Sequence, residues 1–202
     1  MAIITQLKMQ VKNKTRANVY LDGQFVCSLQ LETILRHNLK EGSELTQEQL
    51  ETMQEGSEKE QAFAKVLNTI SKTMKTRVQI ETYLKQKGYS SKTTEYVIKK
   101  LEEYNYINDE LYAKLYMQQE CKKSGVNKIK QQLVVKGVPQ KIIKETLENL
   151  QGQDDEIAFL AQKYMKNKEH TQKETAKLYA YLLRRGFTYD QIKPHLKGWD
   201  EM

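Results

Sequence analysis

The sequence predicts a mainly α-helical protein. Three tandem three-helix repeats form an elongated, curved array, preceded by a small three-stranded antiparallel β and short-helix module. Two observations carry the helical part. Lys87-Gly88-Tyr89, Lys136-Gly137-Val138 and Arg185-Gly186-Phe187 repeat one pattern, with 49 residues between successive glycines. Leu84, Leu133 and Leu182 stand four residues before each glycine, and Ile80, Ile129 and Leu178 eight before. Val66, Leu115 and Tyr164 share a further upstream offset, and several matches at one period argue for an internal repeat. A third observation carries the β part: apolar and polar residues alternate over the first 29 positions.

In chain order, Thr5, Leu7, Met9 and Val11 alternate with Gln6, Lys8 and Gln10, the period of a half-buried strand. Asn13-Lys14 is a turn candidate, and Ala17, Val19 and Leu21 alternate again. Asp22-Gly23 is a two-residue hairpin signal because both residues tolerate positive φ. Phe25, Cys27 and Leu29 then mark a third strand. Leu31, Ile34 and Leu35 give a short apolar helical face, which Gly42 breaks. Thr46 with Gln49 is a capping-box candidate for a second short helix carrying Leu50 and Met53. Gly56-Ser57-Glu58 reads as a linker.

The repeats follow. Ala62, Phe63, Val66, Leu67, Ile70 and Met74 predict the first helix of repeat one, with further helices over 76–87 and 91–104. Asn108-Asp109-Glu110 supplies an N-cap and first-turn acids for repeat two, with helices over 109–123, 127–136 and 139–150. Ile142, Ile143 and Leu147 match Val97, Ile98 and Leu101 only if Ser90 to Thr94 contains a short insertion. Repeat three is expected over 154–166, 171–185 and 188–197, followed by a frayed tail from Gly198. The divisions are 1–56, 59–106, 107–151 and 153–198. Gly186 can adopt the left-handed conformation that closes a helix, and Phe187 follows at a position that can pack back on the turn just finished. A unit of three short helices buries a small core, so neighbours must cover one another's apolar edges.

Of 202 residues, 39% are hydrophobic and 29% charged, lean but globular in class. No run approaches a membrane span, and the start lacks an apolar signal core. Cys27 and Cys121 have no motif around them and read as reduced thiols of a cytoplasmic protein. The net charge of +7 is uneven: residues 1–58 carry 6 basic against 8 acidic side chains, residues 59–202 carry 27 against 18. Basic repeats suit a polyanion or an acidic partner, though lysine-rich helices also serve solubility.

Candidate contact residues, taken from charge and repeat position, are Arg77, Lys85, Lys87, Lys128, Lys130, Lys136, Lys177, Arg184 and Arg185. For Lys87, Lys136 and Arg185, the negative end of the helix dipole explains a cation with no ligand at all. Tyr83, Tyr181 and Tyr189 can stack on bases, but beside leucines at helical spacing they read first as core or core rim. His37, His170 and His195 show no metal-ligand spacing. There is no phosphate-cradling Gly loop, no nucleophile elbow and no carboxylate pair, so no cofactor, metal or catalytic role is expected.

Four stretches carry a family resemblance: Arg77 to Tyr89 (RVQIETYLKQKGY), Tyr106 to Ala113 (YINDELYA), Ile129 to Val138 (IKQQLVVKGV) and Leu178 to Ile192 (LYAYLLRRGFTYDQI). Together they resemble the RecX family, bacterial regulators of the RecA recombinase. The likeness covers roughly residues 59–197, and the strand-rich start looks like the extension of longer members. Gln132 departs from it where an acidic residue is expected, and Val126-Asn127 where a more basic or Pro-containing opening is usual. The resemblance implies a monomeric, non-enzymatic regulator of recombination, repair and the SOS response. It would lie along the groove of the RecA filament on single-stranded DNA and limit its growth, with weak non-specific DNA contact. Two other classes fit the composition: a helix-turn-helix DNA-binding regulator, and an all-α interaction scaffold.

Overall fold

The computed structural model describes residues 1–148, 150 and 152–196. At the start of the chain, Asp22 and Gly23 both take positive φ, 50° and 81°. They close a two-residue hairpin between β2 (Arg16–Leu21) and β3 (Gln24–Gln30). The first strand, β1 (Ala2–Met9), pairs with β2, and a short β4 (Glu44–Leu45) pairs with the start of β1. The sheet order is β3-β2-β1-β4. The fourth strand was not expected. Neither was a bulge in β1 between Ile4 and Gln6, which lets Ile4 and Leu7 face the core together. The bulge puts Ile4 rather than Thr5 on the core face, while Met9, at the end of the strand, and Val11, beyond it, were read as core-facing and are exposed.

Helix α1 (Leu31–Arg36) buries Ile34 and leaves Leu35 exposed. Helix α2 (Gln47–Ile70) begins at the expected Thr46–Gln49 capping box. It then runs for 24 residues straight through Gly56-Ser57-Glu58. The linker reading of 56–58 is therefore corrected. One glycine costs a helix about 1 kcal/mol, and packing on both sides outweighs that. Leu50 and Met53 close the sheet's core, Ser57 is buried with its hydroxyl accepting the Gln30 N–H at 2.8 Å, and Ala62 and Val66 are buried beyond it. Met74, read as the end of that apolar face, lies past the helix and is exposed.

The repeats then follow in order. Helices α3 (Arg77–Gln86) and α4 (Ser91–Glu103) complete the first with the end of α2. Helices α5 (Asp109–Glu120), α6 (Val126–Val135) and α7 (Gln140–Glu148) form the second. Helices α8 (Asp154–Met165), α9 (Gln172–Arg184) and α10 (Tyr189–Leu196) form the third. The insertion between Ser90 and Thr94 is extra helix at the start of α4, which has 13 residues against 9 in α7. The upstream offset holds less well. Val66 is buried and Tyr164 packs on its core, but Leu115 is 44% exposed, and Ala113 takes the buried place in α5. The 49-residue period thus belongs to the second helices and their stops. The predicted fraying of Gly198 to Met202 falls outside the described residues, as do Asn149 and Lys197 at the ends of predicted helices.

The helix stops are identical in hydrogen bonding. Gly88, Gly137 and Gly186 have φ of 80°, 79° and 89°. Their N–H groups donate to Lys85, Val134 and Leu183 carbonyls. The next N–H, from Tyr89, Val138 or Phe187, donates to Leu84, Leu133 or Leu182 at 3.2, 3.1 and 3.3 Å. This is the Schellman pattern, with an apolar side chain folded back on the last turn. Val138 and Phe187 are accordingly buried.

Two of the stops also serve as joints. The chain divides into two compact bodies, Met1–Thr73 with Ile80–Tyr106, and Met74–Gln79 with Ile107–Met202. The first turn of α3 thus belongs to the second body. There Thr76 donates its hydroxyl to the Lys136 carbonyl at 2.6 Å and accepts the Gln79 N–H at 3.2 Å. One repeat later, Gly125 N–H donates to the Arg185 carbonyl at 2.8 Å and Asn127 N–H to Gly186 at 3.2 Å. A Cβ on Gly137 would fall 2.4 Å from the Val78 Cβ, and one on Gly186 would fall 2.4 Å from the Lys128 nitrogen. A Cβ on Gly88 would meet no atom of the described residues within 4 Å.

These differences order a substitution series. Gly88→Ala should cost about 1–2 kcal/mol, from positive φ alone. Gly125→Ala and Gly186→Ala should cost about 1–3 kcal/mol beyond any φ term, because the obstacle is backbone. Urea unfolding followed by helical circular dichroism would order the three; equal losses would mean that the joint imposes no steric demand. Thr76→Ala should lose about 2 kcal/mol by orphaning the Lys136 carbonyl and the α3 cap, whereas Thr76→Ser should hold near wild type. A serine variant as unstable as the alanine would assign the loss to the methyl group instead.

Candidate functional site

The second helix of each repeat carries most of the candidate cations. Because α3, α6 and α9 keep the 49-residue period, Lys128 and Lys177 occupy equivalent places, as do Lys87, Lys136 and Arg185. Arg77 is exposed in the first turn of α3, where its N–H is capped by Asp109 Oδ1 at 2.9 Å. Lys85 and Lys87 are exposed at the end of the same helix. Lys130, Lys177 and Arg184 are exposed on α6 and α9, while Lys128 is half-buried beside Gly186.

The three cations before the glycines each sit on a tyrosine ring. Lys87 lies 5.7 Å from the Tyr83 centroid, Lys136 lies 5.0 Å from Tyr116, and the Arg185 guanidinium lies 4.8 Å from Tyr181. Arg185 also donates to the Lys123 carbonyl at 2.8 Å. In repeats one and three the ring comes from four residues earlier on the same helix. Repeat two has Gln132 at that place, so Lys136 takes a ring from α5 instead. These contacts give Lys136 and Arg185 a packing role at the joints. Lys177 donates to the Glu174 carboxylate; this hydrogen bond holds Glu174 below the ordinary carboxylate range and Lys177 above the ordinary ammonium range.

The structure gathers Lys130 with a concave surface. Val126, Asn127, Lys130, Ile143, Lys144 and Leu147 line a groove between α6 and α7. A shallower depression on α6 exposes Val134 and Val135, the latter 87% exposed. Lys85, Arg184 and Lys177 stand on other helices and are not part of it. Tyr83 is half-buried, and Tyr181 packs on the third core with its ring 4.8 Å from Tyr164. Tyr189 is exposed, contrary to its core reading. It meets Tyr179 edge-on at 6.1 Å and carries Lys193 over its ring at 5.6 Å.

Sequence reasoning passed over three residues that set this geometry. Thr76 and Gly125 stand twelve residues before Gly88 and Gly137, a recurrence that could have flagged both. Gln153 is buried and donates its amide to the Cys121 and Ser124 carbonyls at 2.8 and 3.1 Å, fixing the turn before α6. No local pattern signals it. Among the described residues, no group of three or more His, Cys, Asp or Glu side chains could hold a metal ion. None of their helices is long and apolar enough to cross a membrane.

Comparison with known proteins matches the strand module and the first and third repeats to known domains, and nearly the whole chain to relatives. The family described as regulatory protein RecX N-terminal domain matches residues 2–46, the RecX first three-helix domain 62–101, and the RecX third three-helix domain 153–195. A regulatory protein RecX from Clostridium beijerinckii is 36% identical over 98% of this chain and 95% of its own length. A crystal structure of regulatory protein RecX superposes with a TM-score of 0.71 at 26% identity, covering 96% of this chain and all of that one. RecX from Lactobacillus salivarius gives 0.66 at 25% identity over 73% of this chain and 99% of its own. With a relative this similar along nearly its whole length, and strand module and helical repeats matched in order, the chain belongs to the RecX family of regulatory proteins.

Proposed function

We propose that this protein binds the RecA filament on single-stranded DNA along its groove and restrains filament growth, and with it recombination and the SOS response. The observation that carries the reading is the near full-length likeness to RecX regulators. The geometry supports it through recurrence. Lys128 and Lys177 stand at equivalent places on successive second helices, as a surface meeting a periodic partner requires. Several weak unit contacts would add by avidity. The exposed cations Lys85, Lys130, Lys177 and Arg184 are the residues assigned to the partner or to DNA phosphate, with Arg77, Lys87 and Lys128 at their flanks. Lys136 and Arg185 act there through the joints they pack. The helix-turn-helix alternative needs a row of Arg, Asn and Gln on an exposed helix; α6 exposes Asn127, Lys130 and Gln131 but has no Arg, and its exposed end is Val134 and Val135.

The test is RecA-dependent ATP hydrolysis on single-stranded DNA, titrated with this protein. Inhibition well below one copy per RecA is expected. A combined Lys130→Glu, Lys177→Glu, Arg184→Glu variant should weaken it about tenfold or more, as loss of several charge contacts implies. A folded triple variant as potent as wild type would remove those residues from the interface. A folded wild type without any effect on RecA would remove the reading.

A further inference from the structure

The outward face of the N-terminal sheet has no part in the proposal above. Its membership is set by register. Lys8 stands opposite Asn18 and Asn18 opposite Ser28, while Tyr20 stands opposite Phe25. Opposed residues of an antiparallel pair share a face. Ile4, Val19, Leu21, Cys27 and Leu29 are buried in the core, so the first set faces away from it. The Gln10 amide donates to Asn18 Oδ1 at 2.8 Å and to Ser28 Oγ at 3.0 Å, tying the polar groups together across the face. Arg16 donates to the Ser28 carbonyl at 2.7 Å. The Tyr20 and Phe25 rings meet edge to face at 5.8 Å, and Phe25 is 56% exposed.

Charge sharpens the picture. The module is slightly acidic as a whole, but residues 1–29 carry four basic side chains, Lys8, Lys12, Lys14 and Arg16, against one acid, Asp22. Residues 30–58 carry two basic against seven acidic. Asp22 is engaged at the hairpin, accepting the Ile3 N–H at 3.1 Å. Of the four cations, Lys8 and Arg16 stand on strands and Lys12 and Lys14 in the loop between them; the acid of the sheet itself, Glu44, lies opposite Ile3 on the edge strand β4, away from the Tyr20–Phe25 pair. A sheet face with Phe25 exposed beside the half-buried Tyr20, a row of amides, and cations at Lys8 and Arg16 offers stacking for an unpaired base and countercharge for phosphates.

We propose that this sheet face is a binding site for single-stranded DNA, with a base stacked on Phe25 beside Tyr20 and the backbone held by Lys8 and Arg16. Unpaired bases are required because a duplex hides the base faces that the rings would meet. The choice of DNA over RNA rests on the filament reading above. The site differs from the repeat cations in kind, since it adds stacking to charge and lies on strands rather than helices.

The experiment is fluorescence anisotropy of a labelled oligo(dT) titrated with the full chain across a range of salt. Phe25→Ala should weaken binding about tenfold, and Phe25→Trp should retain it with quenching of the new indole on DNA addition. Lys8→Gln should lower the slope of log affinity against log salt by about 0.7, one phosphate contact on a single strand. Thermal unfolding of all three should match wild type, because both side chains are exposed. Unaltered affinity in Phe25→Ala and Lys8→Gln, absent binding by wild type, or tighter binding of oligo(rU) would each overturn the site. Running the RecA titration alongside separates the two proposals. Oligo(dT) binding without any effect on RecA would keep the sheet site and sink the filament reading; inhibition of RecA without oligo(dT) binding would do the reverse.

Discussion

The second body depends on one steric permission: backbone can approach backbone at Gly125 and Gly186 because neither carries a Cβ. That approach lets the Gly125 N–H reach the Arg185 carbonyl and the Asn127 N–H reach Gly186. Carbonyls at a helix end need donors, and here the neighbouring repeat supplies them. The joint therefore satisfies a helix terminus and fixes a neighbour with the same atoms. In the preceding repeat Thr76 replaces the backbone donor with a hydroxyl, and the acceptor is again the carbonyl of the residue before the glycine.

Small cores make this arrangement necessary. The second repeat's buried cluster is Ala113, Ile129, Leu133, Val138 and Ile143, with tyrosines and a methionine around it. Each fully buried aliphatic side chain contributes about 1.5–3 kcal/mol, so such a cluster is too small to order three helices alone. The third repeat's cluster is larger, because α8 buries Ile157, Leu160, Ala161 and Met165 where α5 buries Ala113 and Phe187 replaces Val138, and it reinforces the second through Gln153. At the other end, α2 places Leu50 and Met53 in the sheet's core and Ala62 and Val66 beyond it. A single helix thus serves the module and the first repeat.

What was legible in the sequence was local. The Schellman stops, the Thr46–Gln49 box and the Asp22-Gly23 hairpin each need only neighbouring residues, and all three formed as read. What was missed depended on distant partners. Gly56 looked like a break because its helix is held from outside, by Ser57 on Gln30 and by Leu50 and Met53 against the sheet. The bulge after Ile4 follows from pairing with Leu21 and Tyr20, and β4 is too short to carry a period. For the candidate surface, exposure of Lys85, Lys130 and Arg184 followed from charge. The Tyr83–Lys87 and Tyr181–Arg185 pairs were readable from their spacing of four. The Lys136–Tyr116 contact was not, since it joins two helices.

Gly88 keeps the turn geometry of its two counterparts, yet no atom of the described residues lies within 4 Å of where a Cβ there would stand. At Gly137 and Gly186 that space is met by Val78 and Lys128. The first repeat therefore still carries the half of the joint that receives a neighbour, although the chain before it is a sheet module. For redesign of such a chain, this leaves the first stop open to a further helix packed as Val78 and Lys128 pack on the later two. It also means that lengthening the row at this end calls for no new coupling chemistry, only a second helix that opens with a threonine or glycine twelve residues before its own stop.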